Sequence, residues 1–429
     1  MLKRKMNLAI IMAVIAAVLI CQAGASAQQE KIELRFFHAM KGNRGKVLNE
    51  LIDRFNKENP DITVEGVQIT SKSVRMGNDY NALYNAILEN TAKKTPPDIA
   101  QVYENWTVQL IGIDAIIAVE DYLGTEITNE TLKDLVPVFR QANNFQGKLW
   151  TLPFNKSIYV LYYNKDIFKK AGVKPPETWE ELKETARVLT QAKGDEISRY
   201  GIALNPSVDM FGHYLYSFGG EFINDDKAVF DCPVGEKDLN YWVEMVHQDK
   251  SALLSFTDRK EYLEGRSAMY IDTTSRIQSF KEKADFKWGV AMLPRGNTRK
   301  LQFAGTNLAV FSHLSPKKRT AALKFLDYMT SREATLHWAV NTGYLPVRVS
   351  AINSKEYQNL LEQDPRYKVA ITSLEYAVVQ PKVAGWEMIR GIINDAMYDA
   401  ISLRFTPDQA LNRAVDMSNQ ILKNLSGNF

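Results

Sequence analysis

The chain has 429 residues, of which 45% are hydrophobic and 24% are charged, so it can bury a substantial core and is not intrinsically disordered. Its 53 basic and 50 acidic residues give a formal net charge of +3. Lys3, Arg4 and Lys5 account for that excess, because no acidic residue precedes residue 28. The rest of the chain is near neutral, which argues against a nucleic acid or an anionic membrane as its partner.

The first 27 residues have the pattern of a secretory signal peptide. The three cations precede an unbroken apolar run over residues 8–20, and Ala25-Ser26-Ala27 is a small-residue cleavage site. The apolar run is too short for a comfortable membrane span. We therefore expect residues 1–27 to be removed and the mature protein to be soluble in the periplasm.

The cysteine content restricts how the mature fold can be stabilised. Cys232 is the only cysteine that remains after cleavage, so no internal disulfide can form and the fold must rest on its hydrophobic core. About 400 mature residues exceed what one core usually holds, which predicts two lobes.

Strand-like and helix-like segments alternate after the leader. Apolar runs at residues 32–37, 62–67 and 99–103 are predicted strands. The first intervening segment has apolar residues at helical spacing, namely Val47, Leu48, Leu51, Ile52 and Phe55. This alternation is typical of parallel α/β structure.

Residues 150–172 hold the central feature of the sequence. Residues 152–154 are extended, residues 155–157 are a polar interruption, and residues 158–163 have the β-branched and aromatic composition of a buried strand. A polar island between two extended runs is expected where a chain passes from one lobe to another beside a ligand, although an ordinary βα unit with a polar bend would look the same. Residues 303–311 are a second candidate crossing.

Several helix ends carry capping signals. Thr178 with Glu181 is a predicted capping box. Ser315 and Thr406 each precede a proline at a predicted helix start, and Gly172 is a predicted C-terminal cap.

Patterns of catalytic or metal-binding residues are scarce. The five histidines show no metal-ligand spacing, and no G-x-S-x-G nucleophile motif occurs. Gly42 and Gly45-Lys46 superficially resemble a phosphate loop but lack its spacing, so a plain helix start is predicted. We predict no enzyme activity, no cofactor and no metal. The carboxylate pair of a glycoside hydrolase need not be adjacent in sequence, which leaves a secreted hydrolase as the weaker alternative.

Six motifs together resemble one family. They are FFHAMKGNRGKVLNELIDRFNKENPDI, TPPDIAQVYE, LPFNKSIYVLYYNKDIFKKAG, PPETWEEL, NTGYLPV and EMIRGIINDAM, in this order along nearly the whole mature chain. The chain is similar to the extracellular solute-binding proteins of ABC importers. QVYE, PFN-x-S and TGYLP point to the glycerol-3-phosphate-binding branch of that family.

The resemblance implies an α/β, two-lobed periplasmic-binding-protein fold of type II, in which each lobe is a mainly parallel sheet flanked by helices. Crossing hinge strands would join the lobes. We expect the N-terminal lobe to comprise residues 28–153 and 304–350, and the C-terminal lobe residues 154–303 and 351–429. A monomer of this family would close its lobes over a small-molecule ligand and deliver it to a transmembrane ABC permease.

The family's ligand-contacting positions are carried over one by one onto seven residues: Tyr80, Glu104, Ser157, Thr273, Gly305, Tyr344 and Arg390. Arg390 offers a planar, permanently charged fork for a phosphate. Glu104 is an acceptor for glycerol hydroxyls, and Gly305 would let a ligand approach the backbone. The expected ligand is sn-glycerol-3-phosphate or a related glycerophosphodiester, and a neutral sugar or oligosaccharide is the alternative.

The sequence departs from this branch where its members place cleft tryptophans. Residues 201–207 contain no tryptophan, so Phe211 or Tyr214 is the candidate to cover the ligand instead. Trp106, Trp150 and Trp386 lie near the carried-over motifs and are expected to line a cleft wide enough for a sugar or a glycerophosphodiester.

Overall fold

The predicted leader lies outside the part of the chain that the structure describes. The structure is a computed structural model and describes residues 31–71, 79–122, 124, 127–194 and 196–426. Within these ranges no helix has the length and apolar character needed to cross a membrane.

The described residues form strands and helices that alternate along the chain. The strands are β1 (Ile32–His38), β2 (Ile62–Gln68), β3 (Ile99–Val102), β4 (Asn144–Phe145), β5 (Lys148–Leu149), β6 (Leu152–Pro153), β7 (Ser157–Asn164), β8 (Gln191–Lys193), β9 (Glu196–Leu204), β10 (Ile223–Asn224), β11 (Lys227–Ala228), β12 (Ala252–Leu254), β13 (Ser267–Thr273), β14 (Trp288–Ala291), β15 (Leu301–Ala304), β16 (Asn307–Val310) and β17 (Ala377–Val378). The helices are α1 (Asn43–Glu58), α2 (Asp79–Ala92), α3 (Glu104–Gly112), α4 (Asn129–Asp134), α5 (Pro137–Ala142), α6 (Lys165–Ala171), α7 (Trp179–Leu189), α8 (Val208–Ser217), α9 (Pro233–His247), α10 (Asp258–Leu263), α11 (Ile277–Lys283), α12 (Pro316–Met329), α13 (Arg332–Thr342), α14 (Val349–Ile352), α15 (Lys355–Gln363), α16 (Pro365–Ser373), α17 (Trp386–Ile401) and α18 (Pro407–Ser426).

The N-terminal lobe is built on a five-stranded sheet in the order β2–β1–β3–β16–β6. β1 pairs in parallel with β2 and β3, as the alternating pattern predicted, whereas β16 and β6 run antiparallel to their neighbours. Helix α1 buries all five apolar residues that its spacing indicated. The antiparallel strands are those by which the chain enters and leaves this lobe, so the sheet is mixed.

The C-terminal lobe is built on an eight-stranded sheet with the main order β12–β9–β13–β7–β15–β17. β12, β9 and β13 are parallel, and β7 runs antiparallel to β13, β14 and β15. The predicted buried strand is therefore the central strand β7. It leads into α6, which ends at Gly172 in the left-handed conformation (φ 71°), as predicted.

The chain passes between the two sheets at two places that lie against each other. β6 continues into β7, and β15 continues through Gly305 and Thr306 into β16. The Phe154 N–H donates to the Thr306 carbonyl at 3.1 Å, and the Thr306 N–H donates to Oδ1 of Asn155 at 3.0 Å. The polar island is therefore a crossing point, and the two-lobed α/β fold with crossing strands is confirmed.

The hydrophobic cores do not follow the expected lobe boundaries at every point. Phe139, expected in segment 28–153, and Leu345 and Val347, expected in segment 304–350, pack in the cluster that surrounds the eight-stranded sheet. The division of the chain into lobes therefore stays a prediction.

The predicted N-terminal helix caps are present. The hydroxyls of Thr178, Ser315 and Thr406 each accept a hydrogen bond from the backbone N–H three residues later, at 3.1, 3.4 and 3.3 Å. The reciprocal half of the predicted capping box differs, because the Glu181 carboxylate accepts from the N–H of Glu177 at 2.7 Å.

A buried carboxyl group in the C-terminal lobe has no ion pair with any described cation. Asp238 lies on α9 and is fully buried. Burial raises its pKa well above the ordinary value, an effect that the nearby Trp242 only partly offsets. The folded protein therefore keeps this carboxyl neutral over a pH range in which the unfolded chain ionises it.

We predict that Asp238→Asn becomes increasingly more stable than the wild type as the pH rises above the unfolded-state pKa of about 3.9. A carboxyl group with a raised folded-state pKa contributes stability below its unfolded pKa of about 3.9 and loses it as the pH rises toward the folded pKa. The asparagine amide of the variant does not ionise, so the variant does not lose stability in this way. Urea unfolding of both proteins at several pH values measures the difference.

Asp364→Asn is the matched control with the opposite sign. Despite partial burial, hydrogen bonds from Arg366 and Lys281 lower the pKa of Asp364 to about 2, so its carboxylate stabilises the neutral-pH fold. This variant is expected to be less stable than the wild type at neutral pH. A pH-independent difference between Asp238→Asn and the wild type would contradict a neutral buried carboxyl.

Candidate ligand-binding site

A cavity of about 370 Å³ lies between the two sheets, beside the crossing strands. All seven residues expected from the sequence line it: Tyr80, Glu104, Ser157, Thr273, Gly305, Tyr344 and Arg390. Elements of both lobes contribute, since α2 and α3 flank one sheet while β7, β13 and α17 belong to the other. Residues 72–78, which include part of the motif before Tyr80, lie outside the described chain.

Aromatic rings of the N-terminal lobe form one wall of the cavity. Tyr103 packs edge-on against Tyr80 and Trp106, with ring centroids 5.1 and 4.9 Å apart. Burial raises the pKa of the Tyr80 and Tyr103 hydroxyls well above the ordinary value, so both remain neutral. A neutral hydroxyl can donate and accept hydrogen bonds, which suits a polar ligand.

A buried lysine neutralises Glu104 at the floor of the cavity. Lys156 has no exposed surface, and its Nζ lies 2.6 Å from Oε1 of Glu104 and 3.2 Å from the carbonyl oxygen of Gly305. Burial lowers the pKa of Lys156, and Glu104 opposes that effect. Glu104 is therefore not the free acceptor expected from the sequence, which did not predict this pair. The available signal was the lysine within the polar island.

Arg390 on α17 also has an acidic partner. Its Nη1 and Nη2 lie 3.2 and 3.0 Å from the two carboxylate oxygens of Asp209, and Nη1 donates to Oε1 of Gln380 at 2.8 Å. Although burial opposes ionisation, Arg390 keeps the pKa of Asp209 below its ordinary value, with help from the Tyr159 hydroxyl that donates at 2.9 Å. The charge of Arg390 is therefore largely offset, contrary to the free fork that the sequence suggested.

A third ion pair lies on the wall formed by β13. Nε of Arg276 lies 2.9 Å from Oδ2 of Asp272. Although burial opposes it, Arg276 keeps the pKa of Asp272 below its ordinary value. The hydroxyl of Thr273 is 2.8 Å from that of Ser275, so these two side chains share a hydrogen bond beside the pair.

Arg44 lines the cavity and forms no ion pair with a carboxylate of the described chain. Its Nη2 donates to the Ser275 carbonyl at 3.1 Å, and its guanidinium carbon lies 5.0 Å from the ring centroid of Tyr344. Because Arg44 comes from α1 and Ser275 follows β13, this contact also joins the two lobes. Helix α1 was expected to have only a structural role, so this cavity-lining cation was not predicted.

Glu387 makes a second contact between the lobes. Its Oε2 accepts hydrogen bonds from Nδ2 of Asn105 at 2.7 Å and from Nε1 of Trp106 at 3.4 Å. Glu387 lies in the first turn of α17, whereas its two donors belong to α3. Among the described residues no cation pairs with Glu387, so Arg44 and Glu387 are the uncompensated opposite charges of the cavity wall.

Gly305 is required by the crossing strands themselves. Its φ is 117°, and a Cβ at this position would lie 1.8 Å from the carbonyl oxygen of Asn155. Only glycine fits so close to another backbone. Ser157, beside it, donates weakly to the Ala304 carbonyl at 3.5 Å.

The aromatic cover expected on α8 is absent from the cavity. Phe211 and Tyr214 are buried in the C-terminal core, so that expectation was wrong. Nearly every side chain of α8 is buried. A helix that is buried all round has no exposed polar face in its sequence pattern, so the side facing the cavity could not be predicted. Trp106 and Trp386 do line the cavity, whereas Trp150 does not.

A polar cavity enclosed by two lobes that share crossing strands defines a two-lobed ligand receptor. In the described part of the chain, no group of three or more potential metal ligands could hold an ion. A sequence model of the bacterial extracellular solute-binding proteins matches residues 50–365. The chain belongs to this family, whose members supply ABC importers with their solutes.

Curated relatives match nearly the whole chain. It is 29% identical over 413 residues to the sn-glycerol-3-phosphate-binding periplasmic protein UgpB of Salmonella typhimurium, covering 90% of this chain and 92% of that protein. It is 28% identical over 414 residues to the protein of the same name from Escherichia coli K12, with the same coverage.

Solved structures share the fold. UgpB of Mycobacterium tuberculosis in complex with glycerophosphocholine has a TM-score of 0.81 at 22% identity, covering 91% of this chain and 98% of that one. The substrate-binding protein Lmo0181 of Listeria monocytogenes in complex with cycloalternan has a TM-score of 0.78 at 25% identity, with the same coverage. Neighbours of one fold thus bind a glycerophosphodiester and a cyclic oligosaccharide.

We predict that Lys156→Met lowers the free energy of unfolding by about 3–5 kcal/mol, because it leaves the Glu104 carboxylate without its cation. The double variant Lys156→Met/Glu104→Gln is expected to recover much of this loss, since no uncompensated charge remains. Urea unfolding of the wild type, both single variants and the double variant measures the coupling.

Lys148→Met is the matched control for this cycle. It breaks an ion pair with Asp121 whose side chains are each about half exposed, and it should cost less than about 1 kcal/mol. A loss no larger for Lys156→Met than for Lys148→Met would show that the buried pair does not stabilise the fold.

Proposed function

We propose that this protein is the periplasmic receptor of an ABC importer for sn-glycerol-3-phosphate or a related glycerophosphodiester. The names of its curated relatives support this ligand class. The structural observation that carries the proposal is Arg44, a cavity-lining cation that no described carboxylate neutralises. Such a group favours an anionic ligand over a neutral one.

Two arginines form the phosphate end of the proposed site. Arg44 contributes an uncompensated charge. Arg390 uses three N–H groups for Asp209 and Gln380, which leaves Nε and one N–H of Nη2 to donate to a phosphate oxygen. Asp209 holds the Arg390 fork in place, so the donor is oriented before the ligand arrives.

Acceptors and neutral hydroxyls form the glycerol end. Glu104 and Glu387 line the same cavity and can accept hydrogen bonds from glycerol hydroxyls. Tyr80 and Tyr103 keep neutral hydroxyls and can bond to either end of the ligand. A carboxylate at this end also repels a second acidic group, which limits the ligand to one phosphate.

Closure of the two lobes would complete the site. The Arg44–Ser275 and Glu387–Asn105 contacts span the lobes on the cavity wall, so closure brings the phosphate and glycerol ends together. The proposed receptor acts as a monomer without catalysis or cofactor, and it releases its ligand to the permease when the hinge opens.

We predict that Arg44→Ala and Arg390→Ala each weaken glycerol-3-phosphate binding by about 1.5–3 kcal/mol, or roughly tenfold to a hundredfold in Kd. Each substitution removes a charge-assisted donor, and Arg390→Ala also leaves Asp209 as an unpaired anion facing the phosphate. Isothermal titration calorimetry of the mature protein measures both effects.

Arg54→Ala provides the control for Arg44→Ala, because Arg54 is an exposed arginine on the same helix that does not line the cavity. It should bind like the wild type. Unchanged affinity in both cavity variants would overturn the phosphate end of the site.

A neutral sugar or oligosaccharide receptor is the second candidate. Three of the four cations around the cavity are already paired with acids, and Trp106 and Trp386 offer ring surface there. This hypothesis predicts that Arg44→Ala leaves ligand affinity unchanged and that phosphate does not compete for the site. A secreted hydrolase is the weakest hypothesis, and it requires turnover of a glycoside or phosphodiester.

We predict that glycerol-3-phosphate and glycerophosphodiesters raise the melting temperature of the mature protein, whereas maltose and inorganic phosphate do not. A ligand bound only by the folded state stabilises it by mass action. A thermal-shift panel with these compounds tests the ligand class. A shift with sugars alone would support a ligand receptor but contradict a phosphate-binding site.

A further inference from the structure

A second groove of about 870 Å³ adjoins the cavity on the side of the C-terminal lobe. Four side chains line both spaces: Tyr159, Asp209, Asp272 and Arg276. The partition between cavity and groove is therefore a single layer of side chains. A ligand held in the cavity therefore lies one layer of side chains away from the groove.

The groove lies where open α/β sheets commonly bind ligands. It sits at the carboxyl ends of β9, β12 and β13, three strands that run parallel to one another. Residues 201–207 contain no tryptophan, and the small polar side chains of Asn205 and Ser207 line this part of the groove. The groove is therefore both wide and rich in hydrogen-bonding groups.

The exposed aromatic ring of Phe256 lies in the wall of the groove. Phe256 is 66% exposed, and its ring packs at 5.2 Å from that of Tyr398. The hydroxyl of Thr257 and the amide of Asn205 line the same groove. An apolar ring face beside a few polar groups is the usual composition of a small-molecule site. It fits a molecule that has both C–H surface and hydroxyls.

The charges of the groove disfavour a cationic occupant. Arg259 and Lys283 line it and form no ion pair with a described carboxylate, whereas Lys260 lies 3.6 Å from Glu264. Burial raises the pKa of Asp258 to about 7, although the N–H and the charge of the adjacent Arg259 oppose this effect, so this acid is only partly ionised at neutral pH. Asp272 and Asp209 are paired with Arg276 and Arg390, so the ionisable groups of the groove without an ion pair are Arg259, Lys283 and the partly ionised Asp258, and their net charge is positive.

We propose that this groove binds the second alcohol of a glycerophosphodiester when that alcohol is an uncharged polyol, such as glycerol or inositol. The proposal rests on the proposed function, because the cavity must hold the glycerol phosphate half. The polyol hydroxyls bond to Asn205, Thr257 and Arg259, and its C–H surface covers Phe256. An ammonium-bearing alcohol meets Arg259 and Lys283 instead and is disfavoured.

The test is calorimetry with four probes: glycerophosphoinositol, glycerophosphoglycerol, glycerophosphocholine and glycerol-3-phosphate. The wild type is expected to bind the first two about tenfold more tightly than glycerophosphocholine. Phe256→Ala and Arg259→Ala are expected to weaken binding of glycerophosphoinositol about tenfold and to leave glycerol-3-phosphate binding unchanged.

Two exposed residues outside both spaces serve as matched controls. Val188→Ala removes an exposed apolar side chain and Arg332→Ala an exposed cation, and neither should change any affinity. Thermal melting of each variant verifies that it folds.

The possible failures are distinguishable. Binding of glycerol-3-phosphate with no preference among the diesters, or with no effect of Phe256→Ala, overturns the groove while the proposed function stands. Tighter binding of glycerophosphocholine also overturns it. If no glycerophosphate binds, both the proposed function and the groove assignment fail.

Discussion

The buried ion pair between Lys156 and Glu104 holds the hinge and the ligand cavity together. Lys156 lies on the first crossing, and its ammonium also reaches the Gly305 carbonyl on the second crossing. Its own carbonyl accepts from the Leu345 N–H at 2.7 Å. If the buried Lys156 ammonium lost Glu104, its unpaired charge would strongly destabilise the fold. The two crossings and the segment at Leu345 therefore have one favourable arrangement. Hinge geometry and cavity geometry are consequently set by the same contacts.

Local patterns explain what the sequence predicted well. The strand β7, the caps at Thr178 and Ser315 and the crossing point depend on neighbouring residues, so composition and spacing indicate them. Ion-pair partners are different. Asp209 and Arg390 are 181 residues apart, and nothing near either one indicates the other. The resemblance to a family supplied the cavity-lining positions, but it could not supply which of them are already paired.

Paired charges give this cavity a fixed pattern of donors and acceptors. Arg390 and Arg276 are each held by an acid, so their orientation does not have to be established by a ligand. In the proposed function, recognition then depends on the few groups left uncompensated, Arg44 and Glu387. The proposed ligand has a phosphate and hydroxyl groups, so it can use one group of each sign.

The hydrogen bonds from Arg44 to Ser275 and from Asn105 to Glu387 connect the two lobes directly, without a ligand between them. Part of the free energy of closing therefore comes from the receptor itself. Apparent affinity scales with the fraction of molecules that can reach the closed form, so side chains that never touch the solute can tune uptake. The same contacts carry a cost for transport, because an empty receptor that closes would compete with loaded molecules for the importer. The strength of these two contacts thus sets a compromise between scavenging at low solute concentration and rapid turnover at high concentration.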